Sequence, residues 1–455
     1  MRSITTFIFL WIGILSCGFA QNLKRRPFLG VQLSPVSDSL ASAGNLKSTE
    51  GALVVQVIPK STAATLRVQP NDVIVRVNQA PVKTYTDVVD RARQFKTGEN
   101  VTLELIRKGK RMTLKGKVQP MPFETDPNAD VLYDEVALGN NAYARSIIKK
   151  PKGKGKYPAV FFIQGYGCNS IDNLPADNPQ RLLLDGLVAK GYAVYRMEKP
   201  GMGDSQGTQP CTEISYTEEL AAFAAGLKEL KQYDFVDTEN IFLFGHSLGG
   251  NTAPLIAADE KVKGIIVYGI TGKPWGEYLI ELFREQSPMN GTDYVQVEED
   301  MKTLLPLVYE LMVLKKSPGE LAQNAVYKPY LERRFDYDGR GHLFGRHYTF
   351  LQQLNDIPLN KAWKAANAHT LAIYGEADIP ALNPDGAKLV VDVVNSYYPG
   401  KATYQFLPRT DHGFMEVGTK EDYRRLQSGA AVPARFNQKL VDLVDSWIKE
   451  RLRKA

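Results

Sequence analysis

A short apolar run, Ile241 to Phe244, leads into Gly245-His-Ser-Leu-Gly249-Gly250 and then a helix-compatible stretch, Asn251 to Ala258. A strand, a tight turn and a helix in so few residues leave Ser247, at the apex, in strained backbone. The residues two before and two after it must then be small, and Gly245 and Gly249 fill those places. The serine hydroxyl projects clear of the sheet, at the N-terminus of a helix whose amides and dipole favour a developing anion. Ser247 reads as a nucleophile. A five-residue G-x-S-x-G match also arises in ordinary Gly-rich turns, so the reading needs partners.

A chain of 455 residues is too long for one core, so two or more domains are expected. The net charge of +6 is spread along it. The densest run, Lys149 to Lys156, carries no interleaved aromatic residues, reads as a solvated loop and gives no case for nucleic acid. Arg2, the apolar run Ile4 to Leu15 and the small residues Gly18 and Ala20 read as a signal peptide, 1–20, cleaved after Ala20. Processing at Cys17 as a lipoprotein is the competing reading, with Leu15 a poor fit to it. No later stretch is long and apolar enough to span a bilayer. The chain is therefore expected to be exported, periplasmic or secreted. Cys168 and Cys211 would then be an even pair in an oxidising compartment, either bonded or two buried thiols.

Residues 51–118 alternate short strand and helix signals. Strands are expected over Ala52–Val57 and Val73–Val77, a helix capped by Thr86 over 87–95, and a hairpin over 101–117. Phe28-Leu-Gly-Val31, Val54-Val-Gln-Val57, Pro59-Lys-Ser-Thr-Ala-Ala64, Leu66 to Ile74 and Val77-Asn78 resemble a PDZ domain over 27–118. Asn71 stands where that family usually has glycine, but asparagine tolerates the left-handed conformation. The resemblance implies a groove that takes a peptide or protein C-terminus as an added strand, with Phe28, Leu29, Gly30 and Val31 offering amides to its carboxylate. A domain that only packs on the rest of the chain is the alternative.

Pro120, Pro122 and Pro127 mark a linker, 119–128. From 129 to 455 longer strands and helices alternate, which argues a doubly wound, mainly parallel α/β sheet. The alternation stops between Thr271 and Ala366. Helical, aromatic-rich segments at 277–284, 298–316 and 320–334 read there as a cap inserted over 272–366, and Pro433 to Leu452 reads as the closing helix.

Of five histidines, His246 lies in the turn and His369 precedes a buried strand. His342 and His347 fall in the cap, where they are expected to line a pocket, with too little carboxylate or cysteine support for a metal. His412 follows the strand Ala402 to Leu407, on the rim that carries Ser247, and is the candidate base. Asp378 follows the run Thr370 to Tyr374 on the same rim and is the candidate carboxylate, with Glu376 its rival and Asp411 too close along the chain. The order Ser247, Asp378, His412 and the turn resemble the α/β-hydrolase superfamily. That resemblance implies an acyl-enzyme mechanism with no metal or organic cofactor. It also implies an oxyanion site from the Leu248 amide and the Tyr166 amide in Gln164-Gly-Tyr-Gly-Cys168. A disulfide between Cys168 and Cys211 would brace that loop. The expected activity is hydrolysis of a small-molecule ester or related acyl bond. A prolyl-oligopeptidase-like peptidase or an acyltransferase is the alternative chemistry. The alternative class is a peptide-binding scaffold with a degenerate hydrolase domain.

Overall fold

The computed structural model describes residues 23–38 and 49–453. The expected leader, 1–20, with Cys17 and Ala20, lies outside the described residues. The first part of the chain holds β1 (Val31–Ser34), β2 (Ala52–Val57), α1 (Thr62–Thr65), β3 (Val73–Val77), β4 (Ala80–Pro81), α2 (Tyr85–Ala92), β5 (Asn100–Arg107) and β6 (Lys110–Lys117). The strands pair antiparallel in the order β1-β2-β3-β5-β6, with β4 on β3. Val54, Ile74, Val88, Leu103 and Leu105 fill the core beneath them. Asn71 takes φ 70°, and Lys108 and Gly109 take φ 49° and 75° in the two-residue turn between β5 and β6. Helix α2 starts two residues earlier than expected, because Thr84 rather than Thr86 caps it. Asp87 stands three residues after Thr84 and accepts its amide at 2.9 Å, closing a capping box.

The second part holds β7 (Ala129–Gly139), β8 (Ala142–Pro151), β9 (Tyr157–Ile163), α3 (Pro179–Ala189), β10 (Ala193–Met197), α4 (Tyr216–Leu230), β11 (Val236–His246), α5 (Leu248–Asp259) and β12 (Gly264–Tyr268). An insertion follows, with α6 (Trp275–Met289), α7 (Tyr294–Met312), α8 (Pro318–Leu321), α9 (Lys328–Arg334), β13 (His342–Leu343), β14 (Arg346–His347), α10 (Tyr348–Asn355) and α11 (Leu359–Ala366). The chain returns through β15 (His369–Gly375), α12 (Asp385–Tyr397), β16 (Ala402–Leu407), β17 (Met415–Glu416), α13 (Lys420–Gln427), β18 (Arg435–Phe436) and α14 (Lys439–Arg453).

Eight strands form one sheet in the order β16-β15-β12-β11-β9-β10-β8-β7. All neighbours are parallel except β7–β8 and β8–β10. Period-two alternation feeds both faces. Ala159, Phe161, Ile163, Ile241 and Leu243 turn towards α4, α5 and α12, while Val160, Phe162, Phe242 and Phe244 turn towards α3 and α14. The doubly wound, mainly parallel sheet is thus the one the alternation anticipates.

Three expected elements differ. The segment 320–334 is not one helix. Pro329 fits only the first turn of α9, so the chain breaks between α8 and α9. The last helix of the insertion, α11, packs on the main sheet, with Trp363 and Ala366 in its core. The closing helix begins at Lys439 rather than Pro433, because Arg435-Phe436 pairs with Met415-Glu416 and the Asn437 side chain accepts the Lys439 amide.

The stretch 119–128 is packed between the two parts. Met121 donates its amide to Arg26, and the Met121 and Pro122 carbonyls accept from Arg25. The Arg25 guanidinium lies 4.8 Å from the rings of both Phe123 and Tyr133. It pairs with Asp172 and Asp204, and Asp204 also takes the buried Arg145. Burial disfavours the Arg25 cation, but the two carboxylates outweigh that and hold it charged. Removing one partner of a buried pair leaves unmatched charge. Asp204→Ala, which takes one carboxylate from Arg25 and Arg145 together and leaves Arg25 with Asp172 alone, is expected to cost about 3–5 kcal/mol, read as a lower urea midpoint than the wild type.

Candidate active site

Ser247 joins β11 to α5 at φ 56° and ψ −125°. Its amide donates to the Tyr268 carbonyl at 2.8 Å, tying the turn to β12. The flanking glycines permit this by close approach. A Cβ on Gly249 would lie 2.1 Å from the Ile163 carbonyl oxygen, and one on Gly245 would lie 2.4 Å from that of Gly249. Leu248 opens α5, so its amide belongs to the first turn, which lacks intrahelical acceptors.

His412 and Asp378 meet. Nδ1 of His412 lies 2.8 Å and 3.0 Å from the two Asp378 carboxylate oxygens. Asp378 is fully buried, and Oδ1 also accepts the Ala381 amide. The rivals point elsewhere: Glu376 accepts the Arg409 amide, and Asp411 accepts the Met415 amide. Burial works against the imidazolium of His412, yet the charge and hydrogen bond of Asp378 prevail, and its pKa is raised above the ordinary 6.5.

Three successive carbonyls fix the loop that carries His412. Thr410 accepts the Ala377 amide, Asp411 accepts the Tyr268 hydroxyl at 2.6 Å, and His412 accepts His246 Nε2 at 2.8 Å. A carbonyl takes only a donor, so the His246 proton sits on Nε2. Burial, then the neighbouring His412, pull His246 down to about 3, which keeps it neutral. His246 therefore lies beneath His412, braced by Phe414 at 4.6 Å between ring centres. Sequence reasoning set it aside as pointing away from the nucleophile and saw no further task for it. Gly269 was also missed. A Cβ there would lie 2.8 Å from both His412 and Asp378.

The loop after β9 is held by buried charge. Lys199 Nζ donates to the Gly165 carbonyl at 2.6 Å and pairs with Glu219 at 2.7 Å. Arg346, from β14, donates to the Tyr166 carbonyl, to Glu219 and to the Cys211 carbonyl. Lys199, Glu219 and Arg346 are all essentially inaccessible. Burial and the neighbouring Arg346 pull Lys199 down to about 8, against the pull of Glu219. In a trans peptide the C=O and N–H point opposite ways. With the Gly165 carbonyl turned to Lys199, the Tyr166 N–H faces away from it. Gly165 in turn abuts Ser247, since a Cβ on it would lie 2.9 Å from the serine Cβ. Gln164 donates to the Met197 carbonyl at 3.3 Å. Cys168 and Cys211 form a disulfide that closes the same region.

A cavity of about 450 Å³ opens on Ser247 and His412, walled by Gly165, Tyr166, Trp275, Leu279, Leu282 and Phe344 among others. Tyr166 stacks on Trp275, ring centres 5.8 Å apart, and its hydroxyl reaches the Phe344 carbonyl. The cap histidines expected in the wall are not there. His342 lies between Asp338 and Glu213, and His347 bonds Thr349. Their hairpin docks on the disulfide loop, with the His347 amide donating to Thr212. Among the described residues no cluster of histidine, cysteine or carboxylate side chains could hold a metal ion, and no helix is long and apolar enough to cross a membrane. Phe28, Leu29, Gly30 and Val31 line a separate cleft.

Two family models match. A PDZ domain covers residues 27–118, and a serine aminopeptidase, S33 model covers residues 179–285. Esterase EstD of Thermotoga maritima is 25% identical over 292 residues, 61% of this chain and 66% of that protein. A probable periplasmic serine endoprotease DegP-like of Bartonella henselae is 33% identical over 102 residues, 22% of this chain. The chain spans only 20% of that second relative's length. Among solved structures, Est1E of Butyrivibrio proteoclasticus with ferulic acid bound shares 17% identity, over 70% of this chain and 98% of that one, with a TM-score of 0.43. The chain thus carries a PDZ domain at residues 27–118, ahead of a sheet whose residues 179–285 are similar to the serine aminopeptidase, S33 family.

Proposed function

We propose that this chain hydrolyses esters or related acyl bonds of small molecules through an acyl-enzyme. The observation that carries the reading is the His412–Asp378 pair opening on the same cavity as the strained Ser247. Ser247 Oγ attacks the acyl carbon while His412 takes the proton, and Asp378 holds the imidazole with its free nitrogen towards the serine. The amides of Leu248 and Tyr166 receive the oxyanion. His412 then returns its proton to the leaving oxygen, and water repeats the sequence to release the acid. None of these steps calls on a metal or organic cofactor.

The match to a serine aminopeptidase model favours a peptidase as the second reading. The cavity speaks for the ester. Trp275, Tyr278, Leu279, Leu282, Phe344 and Pro380 offer an apolar wall to an acyl chain, beside the neutral amides of Gln164, Asn169 and Gln180. An acyltransferase would share every step up to the acyl-enzyme. Export is part of the proposal: it rests on the leader expected at 1–20 and on the Cys168–Cys211 disulfide, a bond that persists in oxidising compartments. The DegP-like relative is named as periplasmic. The PDZ domain supplies a groove for a peptide C-terminus, bounded by Phe28, Leu29, Gly30 and Val31.

A fluorophosphonate probe is expected to label the wild type and to leave Ser247→Ala unlabelled. Equal labelling of the two would leave the PDZ groove as the working part of the molecule. The base must be neutral to accept a proton, so kcat/KM for p-nitrophenyl esters should rise with pH through a midpoint above 6.5, the direction in which Asp378 moves His412. Asp378→Asn should lower kcat by about 10⁴-fold, while Glu376→Gln should leave it unchanged. Arg346→Lys keeps the charge but loses the planar fork that reaches Tyr166, Glu219 and Cys211 together. It should reduce kcat by about 10²-fold with little change in KM; a change in KM alone would assign Arg346 to ground-state binding.

A further inference from the structure

A second cleft, about 860 Å³, lies between the two parts of the chain, within the range of about 300–1,000 Å³ usual for ligand sites. One wall belongs to the PDZ domain: Phe28 to Val31, Leu33, and the α2 residues Val88, Val89 and Ala92. The other wall belongs to the hydrolase domain: Met202, Pro210, Thr212 and both halves of the Cys168–Cys211 disulfide. Among the described residues, strand β1 is the edge of its sheet, with β2 on one side and no strand on the other. An edge strand presents a row of backbone donors and acceptors to an added chain.

The chemistry of the cleft selects its occupant. The α2 side chains are apolar, which suits an apolar terminal residue. Arg26 lines the same cleft and forms no ion pair among the described residues. Its backbone is anchored, the amide donating to Asp204 at 2.8 Å. The Arg26 guanidinium, whose charge also acts on the buried Glu198, stands in the same cleft as the Leu29 to Val31 segment, and a cation beside backbone amides suits a carboxylate. Arg93 also lines the cleft, but it is paired with Asp90 on its own helix.

We propose that this cleft is a composite site for a peptide with a free C-terminal carboxylate and an apolar last residue, in which the hydrolase loops at Met202 and Thr212 contact and select the peptide. The proposal rests on the peptide-binding reading of the PDZ groove and adds its second wall. The loops are not passive neighbours. The turn at Met202 is closed by its amide on the Lys199 carbonyl, and the Thr212 carbonyl accepts the His347 amide from the cap. Both positions are therefore held firmly, and a bound peptide must fit between two fixed surfaces.

The test uses the full chain and a fluorescein-labelled hexapeptide of glycine and alanine ending in valine, followed by anisotropy. The free acid is expected to bind, and its C-terminal amide to bind at least about tenfold more weakly. Met202→Asp places a like charge towards the peptide carboxylate, and Thr212→Trp fills the second wall. Each should weaken binding by about tenfold or more. Far-ultraviolet circular dichroism and a urea midpoint matching the wild type show that both variants are folded. If the wild type binds and both variants bind equally well, the composite site is overturned and an ordinary one-walled groove stands. If the wild type does not bind the acid, the peptide-binding reading falls and the composite site with it. Ser247→Ala should bind as the wild type does, so loss of the catalytic reading leaves this result untouched.

Discussion

The backbone of Ser247 is the constraint on which the molecule turns. A non-glycine residue at φ 56° and ψ −125° lies outside the common wells and persists only where its surroundings over-determine it. Two strand ends supply that determination. Gly249 presses on the end of β9, Gly165 abuts the serine from the loop beyond β9, and β12 accepts the Ser247 amide through Tyr268. Those strands, with β11, are the middle of the eight-stranded sheet. The strain is therefore placed where the sheet is best covered, and the same packing that holds the turn sets the distance to the neighbouring loops.

Where the chain leaves the sheet, backbone carbonyls lose their strand partners, and a buried carbonyl must find another donor. Two solutions stand side by side. The loop that carries His412 uses neutral donors: the Ala377 amide, the Tyr268 hydroxyl and the His246 imidazole. The Gly165–Tyr166 loop uses ions, Lys199 and Arg346, balanced by the single carboxylate of Glu219. Two cations against one anion leave excess positive charge beneath this loop. It suits a site where negative charge would develop on the opposite face. Arg346 comes from the insertion, so the cap hairpin is a structural part of this loop and not merely a cover above it.

The parts of the site that could be read from the sequence are those fixed by short-range geometry. Ser247 is marked by its glycines, and Asp378 and His412 by following apolar runs that end on one rim. The sheet was legible for the same reason, since continuous apolar runs such as Ile265 to Tyr268 leave no exposed face. Long-range pairs left no such mark. Nothing local to Arg346 indicates that it crosses to Glu219, 127 positions earlier in the chain. His342 and His347 looked like pocket residues because cap side-chain directions depend on the turn between β13 and β14, which has no strong pattern. The misplaced cap at Thr86 is a smaller case of the same kind. Two threonines compete, and the reciprocal bond from Asp87 decides for Thr84.

The two clefts are neighbours along the chain as well as in space. Gly167 lines the cavity at Ser247, and Cys168, the next residue, lines the cleft beside the PDZ domain. Cys211 closes the disulfide from the second cleft, and its carbonyl accepts Arg346, which also holds Tyr166. A single loop is therefore the wall between them, pinned from one side by the disulfide and from the other by a buried guanidinium. Under the proposed acyl-enzyme reading, rigid pinning of this kind would serve the first cavity, because an amide aimed at a developing charge works best when it need not reorganise. It would serve the proposed peptide site too, because a fixed wall discriminates between peptides by shape at little cost in ordering. The same covalent and ionic restraints would thus satisfy both proposed sites, whose occupants have nothing in common.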